Sequence, residues 1–236
     1  MTVSSQGTYK NLIEILDNSR KLYADRPLFG TKRDGIYEWT TYEQFAEKVD
    51  DLRGGLASLG ISSGDRVAII SKNTEEWAVS AYATYGLCGQ HIPMYETQLA
   101  EEWEYIVRDC SAKVLLVSNP IVLEQTLNFP ELIDSLEHIV LISGNSSKEV
   151  KTYDDLLKTG RENPVEAQQP ESGSPMGMIY TSGTTGDPKG VLLSHRNIIF
   201  ECQSVLPLLG MTENDRSLAF LPWAHVLARL RKFMVC

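Results

Sequence analysis

The densest set of groups able to do chemistry lies in one twelve-residue string, Ile179-Tyr180-Thr181-Ser182-Gly183-Thr184-Thr185-Gly186-Asp187-Pro188-Lys189-Gly190. Hydroxyls come from Thr181, Ser182, Thr184 and Thr185, and a cation from Lys189. Gly183 and Gly186 let the main chain approach a ligand closely. Successive backbone N–H groups in such a loop can form a concavity for an anion. Hydroxyls, amides and one ammonium together suit a polyphosphate. The order of residues is not that of a Walker A loop, which needs lysine directly after glycine and then Ser or Thr. Here Asp187-Pro188 precede Lys189 and Gly190 follows it. A surface hairpin with Gly/Thr turn chemistry is the plainer reading of a bare G-T-T-G. The full string favours nucleotide phosphate.

A second string, Leu221-Pro222-Trp223-Ala224-His225-Val226, carries an aromatic and a titratable ring. In isolation Trp223 reads as a core aromatic in an apolar strand, and His225 as a structural histidine. Beside a phosphate loop, His225 becomes a candidate catalytic group and Trp223 a pocket wall. Ser194-His195 reads as a helix cap followed by its first residue. A hydrolase triad is not indicated, since no G-x-S-x-G elbow is present. Glu101 and Glu102 fit the acidic first turn of a helix better than a catalytic carboxylate pair.

The elements that must hold these strings follow from periodicity. Leu12, Ile15, Leu16 and Ser19 form a helical stripe within 9–23. Two extended runs, 28–33 and 36–40, flank Asp34-Gly35, a strong hairpin signal. Thr41 and Gln44 have capping-box spacing, and the helix they open ends near Leu59-Gly60. Strands at 66–70, 91–95, 113–117 and 138–142 then alternate with helices at 74–87, 99–109 and 122–136, the last interrupted at Pro130. That alternation predicts a parallel sheet covered on both faces. Residues 161–175 hold Pro164, Pro170 and Pro175 and read as a linker. Beyond it lie a strand (176–181), the loop, a strand (190–193), a helix (195–209) and a strand (217–221).

Bulk properties exclude several classes. The 236 residues are 42% hydrophobic and 22% charged, which excludes a mainly disordered chain and leaves room for a real core. The net charge of −9 argues against nucleic acid as a partner. No apolar run reaches the roughly 18 residues of a membrane span, and MTVSSQGTYK has no signal-peptide pattern. Cys88, Cys110, Cys202 and Cys236 form no C-x-x-C pair and read as reduced thiols of a cytoplasmic protein.

The string YTSGTTGDPKGVLLSHRN (Tyr180 to Asn197) resembles the signature of the adenylate-forming (AMP-binding) synthetase superfamily, and LPWAHV resembles a second motif of it. With Pro93-Met94-Tyr95-Glu96-Thr97 they are most similar to the long-chain fatty acyl-CoA synthetase branch. The resemblance covers about residues 9–226. It implies an α/β fold: the N-terminal part of that family's large domain, a mostly parallel sheet with helices on both faces. Along the chain this gives a helix–hairpin–helix segment (1–60), an alternating strand–helix subdomain (61–160) and the linker (161–175). The phosphate-loop segment (176–226) and an atypical tail (227–236) follow, with the small C-terminal domain absent.

The resemblance implies ATP-dependent activation of a fatty acid through acyl-AMP to acyl-CoA, with ATP, Mg²⁺ and coenzyme A as cofactors. Thr181, Ser182, Gly183, Thr184, Thr185 and Gly186 would cradle the β- and γ-phosphates with Lys189 nearby. Thr181 would help hold Mg²⁺, while Trp223 and His225 would line the acyl-adenylate pocket. The family's Mg²⁺-binding glutamate, ribose-binding aspartate, hinge and catalytic lysine lie beyond position 236. The chain is therefore expected to be a truncated piece with little acyl-CoA synthesis of its own. Its uncovered apolar face predicts self-association, and Arg229, Arg231 and Lys232 would allow peripheral contact with a membrane surface. The rival readings are a non-catalytic nucleotide- or partner-binding module and another branch such as an aryl-CoA ligase.

Overall fold

The structure is a computed structural model that describes residues 9–145, 150–181, 187–210, 212 and 214–224. It opens with helix α1 (Leu12–Tyr23), capped by Asn11, whose side chain accepts from the Glu14 N–H. Strands β1 (Pro27–Arg33) and β2 (Ile36–Thr41) form the antiparallel hairpin expected at Asp34-Gly35. Both turn residues have positive φ, 48° and 85°, the pair a type I′ turn requires. Helix α2 (Tyr42–Ser58) starts at the expected capping box of Thr41 and Gln44. It ends in a Schellman motif: Gly60 N–H donates to Ala57 O and Ile61 N–H to Leu56 O.

The central sheet holds β3 (Arg66–Ile70), β4 (Gln90–Met94), β5 (Val114–Val117), β6 (His138–Leu141) and β7 (Lys151–Thr152), all parallel, in the order β4-β3-β5-β6-β7. Between them run α3 (Glu75–Tyr85), α4 (Ala100–Asp109), α5 (Pro120–Thr126) and α6 (Phe129–Leu132). The break between α5 and α6 falls at Leu127-Asn128, so Pro130 lies inside the first turn of α6, where its missing N–H costs nothing. Helix α7 (Tyr153–Glu162) follows β7. Neither β7 nor α7 is anticipated by the sequence pattern.

Alternation along each strand divides the core in two. Val67, Ile69, Val114, Leu116 and Val140 face one way, onto a core built with α1, α2, α3 and α7. Ala68, Ile70, Leu115, Val117 and Leu141 face the other, onto α4, α5 and α6. Helices therefore cover both faces, as a parallel sheet buried on both sides requires.

The tightest helix contact is α2 on α7. A Cβ built on Gly55 would meet the Leu156 backbone, and one on Gly160 would lie 2.6 Å from Gly55 N and closer still to the Asp51 carbonyl oxygen. Glycines on both helices thus let two backbones touch, and the Arg161–Asp51 ion pair edges the contact. Residues 163–170 run along the same body. Arg53 Nε donates to Val165 O at 2.7 Å, Gln168 N–H to Gly86 O at 2.7 Å, and Asn11 Nδ2 to Pro170 O at 3.0 Å.

The second antiparallel pair is β8 (Pro175–Thr181) with β9 (Lys189–Ser194), followed by α8 (His195–Leu209). β8 packs beside β4, where Gly177 sits so close to the His91 carbonyl oxygen that no Cβ fits. Ser194 caps α8 by a capping box with Asn197, and Gly210 closes it in the left-handed region. No described helix is long and apolar enough to cross a membrane, and Cys88, Cys110 and Cys202 form no disulfide.

The expected strand at 217–221 is not one. Those residues are irregular, and Leu218 and Phe220 are 72% and 66% exposed. An apolar run forms a strand only when another strand satisfies its backbone, and none of the described strands pairs with this one.

Candidate functional site

The polar string rides on the β8–β9 hairpin. Its first and last polar groups, Thr181 and Lys189, are cross-strand partners at the mouth of the connection, and both side chains are exposed. Ser182, Gly183, Thr184, Thr185 and Gly186 lie outside the described residues, as does His225. Lys189 has no acidic partner among the described residues, so its ammonium is available to an anion. An open hydroxyl facing an unpaired ammonium across a ladder fits a phosphate chain. The Thr181 oxygen is also a suitable hard donor to Mg²⁺, which takes most remaining ligands from phosphate oxygens and water. No group of three or more His, Cys, Asp or Glu suited to a metal occurs among the described residues.

The base of the hairpin is fixed from two sides. Tyr180, one residue before Thr181, pairs with Gly190 in the ladder and is 9% exposed. Its hydroxyl donates to Asp109 Oδ2, at the C-terminal end of α4. Burial first, then the Asp109 contact, pushes the phenol well above its ordinary value, so it stays a donor.

Trp223 lies elsewhere. It is 6% exposed in the first core, with ring centroids 5.5 Å from Trp77 and 6.0 Å from Phe29. Asn73, directly before the α3 cap Thr74, staples this segment. Its Oδ1 accepts from Trp223 N–H at 2.8 Å, and its Nδ2 donates to Leu221 O at 2.8 Å and Ala219 O at 3.3 Å. Trp223 and Asn73 border a cleft of about 670 Å³ between the β1–β2 hairpin and residues 215–221. Arg216 lies over the Trp39 ring in that cleft, 4.8 Å from its centroid. Neither Thr181 nor Lys189 lines it. The structure therefore pairs Thr181 with Lys189 and places Trp223 at a cleft that neither of them lines.

Asn73 and Asp109 carry no motif and escape sequence reasoning. A lone Asn before a helix cap is too common to single out. Removing the Asn73 side chain by Asn73→Ala forfeits three hydrogen bonds, a loss of about 2 kcal/mol at roughly 0.5–1.5 each, partly offset by water. Urea unfolding followed by tryptophan emission should show it; an unchanged midpoint would mean residues 219–223 are held by packing alone.

His195 is 1% exposed, and its Nδ1 accepts from Leu12 N–H at 3.4 Å while its ring meets Tyr85 edge-on. Burial lowers its pKa to about 4. It is a neutral structural group joining α8 to α1. Glu101 and Glu102 occupy the first turn of α4, and the Glu102 carboxylate accepts from Leu99 N–H.

Comparison with known proteins adds the following. The profile of a family described as AMP-binding enzyme matches residues 16–236. Fatty acyl-CoA synthetase A of Dictyostelium discoideum is 30% identical over 230 residues, covering 93% of this chain and 34% of its own length. The long-chain-fatty-acid–CoA ligase FadD15 of Mycobacterium tuberculosis is 30% identical over 231 residues, covering 94% of this chain and 38% of its own. The chain thus spans about a third of the length of the curated relatives it matches. Among solved structures, a putative long-chain-fatty-acid CoA ligase from Rhodopseudomonas palustris superposes with a TM-score of 0.85 at 22% identity, over 97% of this chain and 56% of that one. The anthranilate CoA ligase AuaEII, in complex with anthranoyl-AMP, superposes with a TM-score of 0.84 at 24% identity, over 100% of this chain and 45% of that one. At these identities the superpositions establish the shared α/β fold.

Proposed function

The chain belongs to the AMP-binding enzyme family, and from that premise we propose that residues 181–189 hold the β- and γ-phosphates of ATP in an enzyme joining a fatty acid to coenzyme A. A carboxylate oxygen attacks the α-phosphorus of ATP, the bond to pyrophosphate breaks, and acyl-AMP forms. The coenzyme A thiolate then attacks the acyl carbon and AMP leaves, giving the thioester. Negative charge grows on phosphate oxygens in the first step, so donors fixed around those oxygens lower its barrier.

In this reading the hydroxyls and amides of Thr181 to Gly186 donate to the phosphate oxygens, and Lys189 brings its ammonium to the same group. Thr181 is the candidate protein ligand for Mg²⁺, which supplies charge neutralisation there when bound. His225 and Trp223 are assigned to the acyl-adenylate pocket, with His225 the candidate catalytic group near the reacting carboxylate. Because the chain spans a third of its relatives' length, it supplies one wall of the site. A long-chain acyl substrate is the first reading, supported by the relatives' names; an aromatic acid is the second, supported by the AuaEII superposition.

The single observation that carries the reading is Lys189, which has no acidic partner among the described residues, facing Thr181 at the mouth of the Gly/Thr loop. Calorimetric titration with Mg²⁺–ATP tests it. Binding is expected for the 236-residue chain, and Lys189→Ala should weaken it about tenfold, the equivalent of roughly 1.4 kcal/mol. A chain whose melting temperature neither ATP nor AMP moves would sink the reading. Binding without acyl-CoA formation from palmitate and coenzyme A is the expected behaviour of one wall alone, and turnover would show that the chain is sufficient.

A further inference from the structure

In the phosphate-binding reading the ligand contacts come from the connection between β8 and β9, and among the described strands the hairpin that carries it is not hydrogen-bonded into the five-stranded sheet. One attachment is the close approach of Gly177 to the His91 carbonyl. Met176 and Leu193 pack into the first core toward the far end of the hairpin. The polar attachment beside the loop is at Tyr180. Its hydroxyl donates to Asp109 Oδ2 at 2.5 Å, tying the rung beside the loop to the end of α4. Arg108 is engaged with Glu104, so it does not compete for the Asp109 carboxylate. Across the ladder, a Cβ on Gly190 would come within 3.0 Å of Tyr180 Cζ and 3.2 Å of its hydroxyl oxygen. Gly190 therefore clears the lane in which the ring lies on its way to Asp109.

We infer that Tyr180 and Asp109, with Gly190 as the cleared surface between strands, form a clasp that positions the nucleotide-phosphate loop. Both are positioning residues that act through residues 181–189. The inference rests on the phosphate-binding reading given above, and it adds a residue from a separate helix that lies in no recognised string. Its physical basis is pre-organisation: a loop fixed before the ligand arrives loses less freedom on binding.

The test is titration of Mg²⁺–ATP into the wild-type chain and into Tyr180→Phe, Asp109→Ala and Asp109→Asn, well below each melting temperature. Tyr180→Phe and Asp109→Ala should lose about tenfold or more in affinity, while Asp109→Asn, which keeps a carbonyl acceptor, should stay within about threefold of wild type. A role in stability alone would lower melting temperatures and leave the affinities of the folded variants equal. Should Tyr180→Phe fail to fold, the two Asp109 variants carry the same comparison. Wild-type affinity in Tyr180→Phe or Asp109→Ala overturns the clasp and leaves the phosphate reading standing. No binding by the wild-type chain overturns the phosphate reading. The clasp is then decided by amide exchange: faster exchange over 179–191 in Tyr180→Phe sustains it as a hairpin anchor, and unchanged exchange overturns it.

Discussion

Gly160→Ala is expected to cost more than about 4 kcal/mol, in the range reserved for overpacked or disrupted cores. The new methyl group would fall onto the Asp51 carbonyl and within 2.7 Å of its carbon, backbone atoms that no rotamer change can move. Helices α2 and α7 would have to part along their length, opening Leu52, Leu56 and Leu156 to water. Against a total stability of about 5–15 kcal/mol, such a loss brings the chain near unfolding at ordinary temperature. Gly173→Ala is the matched control, because a Cβ there meets nothing within 4 Å. Urea denaturation compares the two, and a Gly160→Ala midpoint equal to wild type would mean the helix pair is far more compliant than its packing indicates.

The second large effect is on pH dependence. The His195 ring binds its proton with a pKa of about 4 when folded, against 6.5 when exposed. Between those values the unfolded chain takes up the proton and the folded chain does not, so acid favours unfolding there. The contribution is fully present above about pH 6.5 and is lost as pH falls toward 4. From pH 7.5 to 5 it amounts to about 2 kcal/mol, since each pH unit below 6.5 removes about 1.4 kcal/mol. Carboxylates act lower down. Arg20 holds Glu43 below its ordinary range, and Thr152 does the same for Asp155, so their contributions fade only below about pH 4.5. Unfolding free energies at pH 7.5, 6 and 5 should therefore fall for the native chain and much less for His195→Gln. Equal slopes would assign the acid sensitivity to other groups.

How much of the molecule is legible in its sequence depends on the range of the forces involved. The Asp34-Gly35 hairpin and the Thr41 capping box are set by neighbouring residues, and both form as expected. The strands from 66 to 141 are legible because full burial on two faces leaves continuous apolar runs. Helix α7 is not: Tyr153, Leu156 and Gly160 are its only buried positions, and apart from the half-buried Leu157 the rest of Tyr153–Glu162 is polar. Its value comes from a glycine that fits against α2, and nothing local announces that partner. The run 217–221 fails in the opposite sense. Its apolar residues look like a strand, but the carbonyls of Ala219 and Leu221 accept from one side chain, Asn73, some 150 positions earlier. At the candidate site, the residue types of the loop are legible, while the pairing of Lys189 with Thr181 comes from the register of the β8–β9 ladder. Asp109 is invisible because it meets Tyr180 only across 71 positions.

The glycine seam between α2 and α7 also has a consequence for the order of events as the chain is made. The seam joins residues 110 apart, as the Asp51–Arg161 pair measures. Closing a segment that long costs about 3 kcal/mol more entropy than closing a four-residue turn. During synthesis α1, the first hairpin and α2 emerge early, with one flank of α2 still bare. Gly54 and Gly55 present only backbone along the seam itself, but Leu52 and Leu56 beside them stay partly uncovered until the partner helix arrives. Covering them is therefore completed only when the residues near 160 have been made and lock the seam.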